Sequence, residues 1–481
     1  EIPQSQLIVT HNLHQAQKLY EDLVEWVGEE HLYLYPVNEL ISSEMIIASP
    51  ELSGSRIKVL NELIQAKRAI VIVPLAGVRR FLPPVELWRE AQTKLAVGEE
   101  LDLDRFKEKL LFLGYKRVEM VETHGEYSIR GGIIDIFPLA EQNPLRIELF
   151  DTEIESLRIF DVETQRSIKP LEEAIIGPTV EWIFLKEHYQ QAADRLAGYL
   201  EEQLKKTRDE TVREKLIEKI TWEIEQIRSG STFQGFNKYI SCFYHRPGSI
   251  LDYMPGKPLI ILDEPTRIWE TEEYYQKEEL DWKTSLVQIG EYMYDLSPSL
   301  GFLEWKKRLS HSIFYLSLFL RQVAHSQPQN IVNFTARTMQ HFHGQMPTLK
   351  TEASRWMKSN QYILFLASSE ARAKRMLRVL EDFQIEARLQ VDPGELVRGI
   401  PLIRIARLQN GFELPFCSLV LVTEEEMFNQ QHKKKVRAEK SISNAERIKN
   451  YDELQVGDYV VHVNHGIGKY LGIETLEIDG V

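Results

Sequence analysis

His124–Phe137 reads HGEYSIRGGIIDIF, a run rich in strand formers in which the pair Gly131-Gly132 permits a bulge or a close backbone approach. A few residues on, Leu145–Phe150 (LRIELF) alternates cleanly, so Leu145, Ile147 and Leu149 point one way and Arg146, Glu148 and Phe150 the other. Asp151-Thr152 can then turn the chain into Ile154–Phe160, which closes a hairpin. One face buries its aliphatics, while the other offers an arginine and a phenylalanine on the same side. Protein interfaces concentrate their energy in such anchors. The spacing fits either a docking face or a solvated face with one incidental Phe. A second strand-rich run, GDYVVHVNHGIGKYLGIETLE, spans Gly457–Glu477. Neither run holds a catalytic constellation, and the question becomes which two partners dock here.

The 481 residues exceed what one core organises, and roughly three or more domains are expected at about 150 residues each. The apolar fraction of 43% and charged fraction of 27% are those of ordinary globular protein. A net charge of −14 excludes a chain that binds polyanions over its whole surface, so any nucleic-acid contact is local. Cys242 and Cys417 stand far apart without metal spacing, which suits buried thiols in a reducing cytoplasm. No apolar stretch approaches membrane-spanning length and there is no signal peptide, so neither a membrane nor export is expected. The chain opens at Glu1 and stops at Val481 inside a strand-like pattern, and an internal fragment of a longer protein is expected.

Along the chain, Leu7–Asn12 is an apolar run followed by a segment in which Ala16, Leu19, Leu23 and Val27 recur at helical spacing. Ala69–Pro74 repeats the strand after a helix ending near Lys67, and this alternation argues for a parallel sheet flanked by helices. From about Val118 the pattern becomes short alternating strands. Around residues 185–230 it turns helical and charged, with Leu196, Leu200 and Leu204 on one face and Leu216, Ile220, Ile224 and Ile227 on another, an antiparallel helix pair. A separate α/β pattern follows: strand Tyr362–Ala367, helix Glu370–Phe383, and strands Leu402–Ala406 and Leu419–Val422. Residues 430–455 are polar, with Lys433, Lys434, Lys435 and Arg437 clustered, as in an exposed linker that could also brush DNA phosphates.

Chemistry is sparse. Pro258–Glu264 (PLIILDE) has the form of a Walker B strand, with Asp263 and Glu264 as candidate magnesium and water ligands. Such carboxylates act only against a Gly-rich phosphate loop ending in Gly-Lys-Ser/Thr. Gly256-Lys257 and Gly468-Lys469 are the Gly-Lys pairs of the chain, and Pro258 and Tyr470 follow them. A retained acidic pair without ATP hydrolysis is the expectation. No catalytic residue and no metal site is assigned; His341 and His343 form H-x-H without further ligands and are read as solvent-facing. His462 and His465 flank a glycine turn, Gly466-Ile467-Gly468, and are read as shaping a small barrel.

The blocks HGEYSIRGGIIDIFP, PLRIELFDTEIESLRIFDVETQRS (Pro144–Ser167) and GDYVVHVNHGIGKYLGIETLE together resemble the bacterial transcription-repair coupling factors, and the resemblance runs through the whole chain. It implies a multidomain α/β protein: degenerate RecA-like, UvrB-like halves with an inserted α+β domain, a further small α/β domain, and the start of a small SH3- or Tudor-like β-barrel. The implied boundaries are a UvrB-like domain 1A at 1–92, domain 2 at 93–180, domain 1B with the charged helix pair at 181–300, an α/β spacer at 301–426, a linker at 427–453 and a CarD-like RNA-polymerase-interacting domain from 454. It implies UvrA binding by Arg130, Arg146 and Phe150, and contact of Leu476 in the Ile473–Glu477 strand with the RNA polymerase β subunit. It also implies that the ATP- and magnesium-dependent DNA translocase, with most double-stranded DNA contacts, lies outside this segment, which needs no cofactor and is expected to be a monomer. Such a protein grips a stalled polymerase, pushes it off DNA and recruits UvrA. Two rivals are an active superfamily 2 helicase such as UvrB, separated by an ATPase assay, and a CarD-type transcription regulator, separated by binding to UvrA.

Overall fold

The computed structural model describes residues 4–37, 50–310, 312–390, 395–408 and 410–428, with the backbone of 459–462 and 466–469. It divides into two compact units, Glu1–Ala438 and Glu439–Val481.

The first unit is founded on five parallel strands: β1 (Gln6–Thr10), β2 (Leu32–Leu34), β3 (Ile70–Pro74), β12 (Leu259–Asp263) and β13 (Ile313–Leu316), in the order β13-β12-β1-β3-β2. β3 is buried at every position, as a central parallel strand covered on both faces must be. The helix Leu13–Val27 starts where the Asn12 side chain accepts from the Gln15 amide at 2.8 Å and ends at Gly28, whose φ of 85° suits glycine. Its Leu19, Tyr20, Leu23 and Val24 pack on Ile8, Leu32, Ile70 and Ile72. The apolar spacing read from the sequence thus becomes a helix laid on the sheet.

Between β3 and β12 the chain leaves this sheet and comes back. A module begins at β4 (Thr93–Ala96) and closes at β11 (Glu173–Ile176), which pair antiparallel, Thr93 with Ile176 and Ala96 with Glu173. Inside it lies a six-stranded sheet of β5 (Lys116–Arg117), β6 (Glu126–Arg130), β7 (Ile133–Ile136), β8 (Leu145–Phe150), β9 (Glu153–Phe160) and β10 (Ser167–Leu171), in sequential order and antiparallel from β6 onward. The helices Lys186–Lys206 and Glu210–Arg228 follow as the expected pair, with Leu196, Leu200, Leu216, Ile220, Ile224 and Ile227 buried and Leu204 half-buried.

A second six-stranded sheet occupies the later part of the same unit, built from β14 (Arg337–Thr338), β15 (Tyr362–Ala367), β16 (Arg388–Leu389), β17 (Pro401–Ile405), β18 (Phe412–Leu414) and β19 (Leu419–Thr423), in the order β14-β18-β19-β15-β17-β16. Trp356, Phe365, Met376, Leu380 and Val422 fill its core. The expected boundary at 301 is displaced, because Ile313–Leu316 pairs with β12 and belongs to the first sheet. Cys242 is buried, but Cys417 is half-exposed in the short turn after β18, so only one of the two thiols is the buried kind expected.

In the second unit β20 (Tyr459–His462) pairs antiparallel with β21 (Gly466–Lys469). Gly466 and Gly468 therefore sit in a strand, not in the turn expected there. Lys433, Lys434, Lys435, Arg437, His465 and Leu476 lie outside the described residues. No described helix is long and apolar enough to cross a membrane.

Candidate protein-docking site

The β8–β9 hairpin turns at Asp151-Thr152, with Asp151 at φ 57°, a conformation that aspartate tolerates better than most residues. Leu145 and Ile147 are buried on one face and Leu149 is half-buried, because the ladder shifts register between Glu148 and Leu149. On the other face Phe150 is 74% exposed. Gly131-Gly132 forms a two-residue turn joining β6 to β7, with Arg130 opposite Ile133, and not a bulge within a strand. Gly131 has φ 64° and open space around it; a Cβ on Gly132 would stand 2.9 Å from the Leu149 carbonyl oxygen. The Leu149 amide donates to the Gly132 carbonyl at 2.8 Å, which stitches the two hairpin tips together one residue before Phe150.

Arg146 shares the face of Phe150 but is not a free, outward guanidinium. Its Nε and Nη2 donate to Asp135 at 2.7 and 3.0 Å, and Nη2 also donates to Gln165 Oε1 at 3.1 Å. The guanidinium lies 4.3 Å from the centre of the buried Phe160 ring. The hydrogen bonds that Arg146 donates to the Asp135 carboxylate raise the Arg146 pKa above its usual value. Arg130 donates to the same carboxylate at 2.5 Å while leaving 46% of its side chain in solvent. The adjacent Glu148 and Arg158 form an ion pair, with the Ser156 hydroxyl donating to Glu148 at 2.9 Å. The exposed features of this end of the sheet thus include the Arg130 guanidinium, the Ile133 side chain, a bare glycine turn, the Phe150 ring and, at the tip of the β8–β9 hairpin, Asp151, Thr152 and Glu153.

The sequence reading missed Asp135, Ile133 and Gln165. An aspartate between apolar neighbours in IIDIF was the available signal, since a carboxylate with isoleucines on both sides calls for a cation. Gln165 had none, because it comes from the turn after β9.

The module is fastened just after its last strand, against the helix Pro50–Gln65 and the segment that follows β3. The buried Glu181 carboxylate accepts from Arg56 Nε and Nη2, both at 2.9 Å, and from Arg80 Nε and Nη2 at 2.6 and 2.8 Å. Burial alone would raise its pKa, but the charges and hydrogen bonds of Arg80 and Arg56 overturn that and hold it at about 2.

The acidic pair after β12 is engaged in the fold. Asp263 accepts from Gln15 Nε2 at 3.1 Å, and its pKa is raised, first by burial and then by the charge of Glu264. Glu264 adopts φ 53° and accepts from the Leu318 amide at 2.7 Å. His341 and His343 are exposed with rings 5.5 Å apart, and among the described residues no group of three His, Cys, Asp or Glu is arranged to hold a metal.

Residues 93–182 match the family model of the UvrB interaction domain, and residues 454–481 that of the CarD-like/TRCF RID domain. The transcription-repair-coupling factor of Bacillus subtilis (strain 168) is 47% identical over 474 residues, covering 98% of this chain and 40% of the relative. That of Staphylococcus aureus (strain MRSA252) is 38% identical over 478 residues, covering 99% of this chain and 40% of the relative. The chain therefore spans about 40% of the length of the curated relatives it matches. Over nearly its whole length, this chain is similar to these transcription-repair-coupling factors.

Proposed function

We propose that this chain is part of a protein that couples stalled transcription to nucleotide excision repair, and that its module at residues 93–182 recruits UvrA. The observation that carries the reading is that the exposed Phe150 ring on β8 and the half-exposed Arg130 on β6 lie near one end of the same hydrogen-bonded sheet, within the stretch similar to UvrB interaction domains. Leaving a phenyl group in water forgoes burial worth about 2 kcal/mol, which a partner recovers on docking. Arg130 contributes a planar fork for a carboxylate. Arg146 contributes mainly stiffness, because its Nε and Nη2 are already engaged by Asp135 and Gln165.

Residues 454–481, similar to CarD-like domains, hold the RNA polymerase β subunit, with Leu476 as an apolar contact. ATP-driven translocation on double-stranded DNA, with its magnesium, is assigned to the remainder of the longer relatives, and Asp263 and Glu264 serve the fold here. The whole protein works in the cytoplasm as a monomer. The test is a titration of the purified chain with UvrA and, separately, with the polymerase β subunit. Binding of UvrA that is lost in the Arg130→Ala/Phe150→Ala double variant, at unchanged melting temperature, supports the recruitment reading; undiminished affinity of the folded double variant overturns it.

A further inference from the structure

Asp135 is 2% exposed, so no partner reaches it, yet Arg130 and Arg146 both donate to it, Arg146 donating to Gln165 as well. Its two carboxylate oxygens take one hydrogen bond from Arg130 and two from Arg146. At Asp135 one negative charge thus faces two positive ones, a local excess of one positive charge that stands near the exposed Asp151 and Glu153 of the hairpin tip. That charge emerges at Arg130, whose side chain is 46% exposed against 16% for Arg146. The neighbouring Glu148–Arg158 pair cancels itself.

We infer that Asp135 is the positioning residue of this surface: it fixes the Arg130 guanidinium at the open end of the sheet beside Phe150, and it pins Arg146 over Phe160 beneath. The complementary partner surface presents a carboxylate to Arg130 next to an apolar hollow for the Phe150 ring. This deepens the proposed UvrA docking and rests on it. The physical case is preorganisation. A free arginine samples many rotamers and loses that freedom on binding, whereas one already bonded to a buried carboxylate has lost it on folding. The stitched hairpin tips place the arginine and the ring on one rigid frame, so the two anchors meet their partner in a fixed relation.

The test measures UvrA affinity of the full chain for Asp135→Asn, alone and in an Arg130→Ala/Arg146→Ala background, with melting followed in parallel. Asp135→Asn alone is expected to weaken binding by about tenfold or more. In the double-alanine background the same change is expected to shift affinity by less than about twofold, because Asp135 then has no arginine on this face to position. A merely structural aspartate weakens binding equally in both backgrounds, and that result overturns the inference. Arg130→Lys provides a second readout that leaves Asp135 paired with Arg146 and the fold secure. It is expected to lose about tenfold, because an ammonium lacks the planar fork, and wild-type affinity in this variant also overturns the inference. Affinity of the wild type is expected to fall with added salt more steeply than that of Arg130→Ala, and equal slopes contradict the carboxylate partner. If Phe150→Ala abolishes binding while Asp135→Asn binds like wild type, this inference fails and the docking reading stands; if the wild type ignores UvrA, both fail.

Discussion

Replacing Glu181 by Gln keeps the volume of the side chain but removes the negative charge just after the last strand of the 93–182 module, where Arg56 and Arg80 hold it. Arg56 is fully buried and Arg80 nearly so, and between them they donate four hydrogen bonds to this carboxylate. Arg80 also lies 4.9 Å from the Trp182 ring, so its position is fixed on two sides. Removing one partner of a buried ion pair costs about 3–5 kcal/mol. A separate route gives a similar figure. The carboxyl is held at about 2 in the fold against an ordinary 4.5, and at about 1.4 kcal/mol per pH unit that gap corresponds to about 3 kcal/mol. Because the folded value lies below the unfolded one, this contribution is fully present above about pH 4.5 and is lost as pH falls toward 2. Urea unfolding followed by circular dichroism, at pH 7 and pH 3, is the assay. Glu181→Gln is expected to lower stability by about 3 kcal/mol at pH 7, and the deficit is expected to shrink to about half of that at pH 3. A deficit below about 1 kcal/mol at neutral pH, or one that does not change with pH, refutes the view that this network fastens the module.

Two glycines separate collision from backbone strain. At Gly114 φ is 88° and an added Cβ would stand 2.3 Å from Val180 Cγ1, so Gly114→Ala is expected to cost about 2–4 kcal/mol. Gly131, at φ 64° with open space, is expected to cost only about 1 kcal/mol as alanine. Melting temperatures of the two variants check the order, and equal losses contradict it. Beside the β14–β19 sheet, in the helix Glu424–Phe428, the buried Glu426 accepts from the Gly411 and Thr423 amides, each at 2.7 Å, and from the Thr423 hydroxyl. Glu426→Ala strands those donors and is expected to cost about 2–3 kcal/mol while leaving UvrA affinity unchanged, which a melting curve and a binding titration together verify.

Elements with a strong local period could be read directly. Tyr362–Ala367 is a strand over the residues expected, and the charged helix pair buries nearly all of the leucines and isoleucines assigned to its inner faces. Pairing between distant segments leaves no such mark. Nothing in Ile313–Leu316 announces that it joins β12, and through it β1, because backbone hydrogen bonds carry no side-chain signature. The candidate docking face was legible to the same degree. Alternation placed Arg146 and Phe150 on one side, but a period of two cannot tell an arginine free in solvent from one held by a buried aspartate. Asp135 lies on the adjacent strand, and its role depends on the register that sets it opposite Arg146. The glycine pair was ambiguous for a related reason: the same residues serve a bulge or a two-residue turn, and the pairing of Arg130 with Ile133 decides.

The central claim is that an exposed ring on this sheet is a recruiting contact, and the affinity of Phe150→Ala for UvrA tests it most directly. Phe319, 66% exposed and outside the module, is the matched control. Phe150→Ala is expected to weaken binding by at least about thirtyfold, the loss of a hot-spot aromatic worth about 2 kcal/mol, with an unchanged melting temperature, whereas Phe319→Ala binds as the wild type does. Equal affinity of wild type and Phe150→Ala contradicts the account.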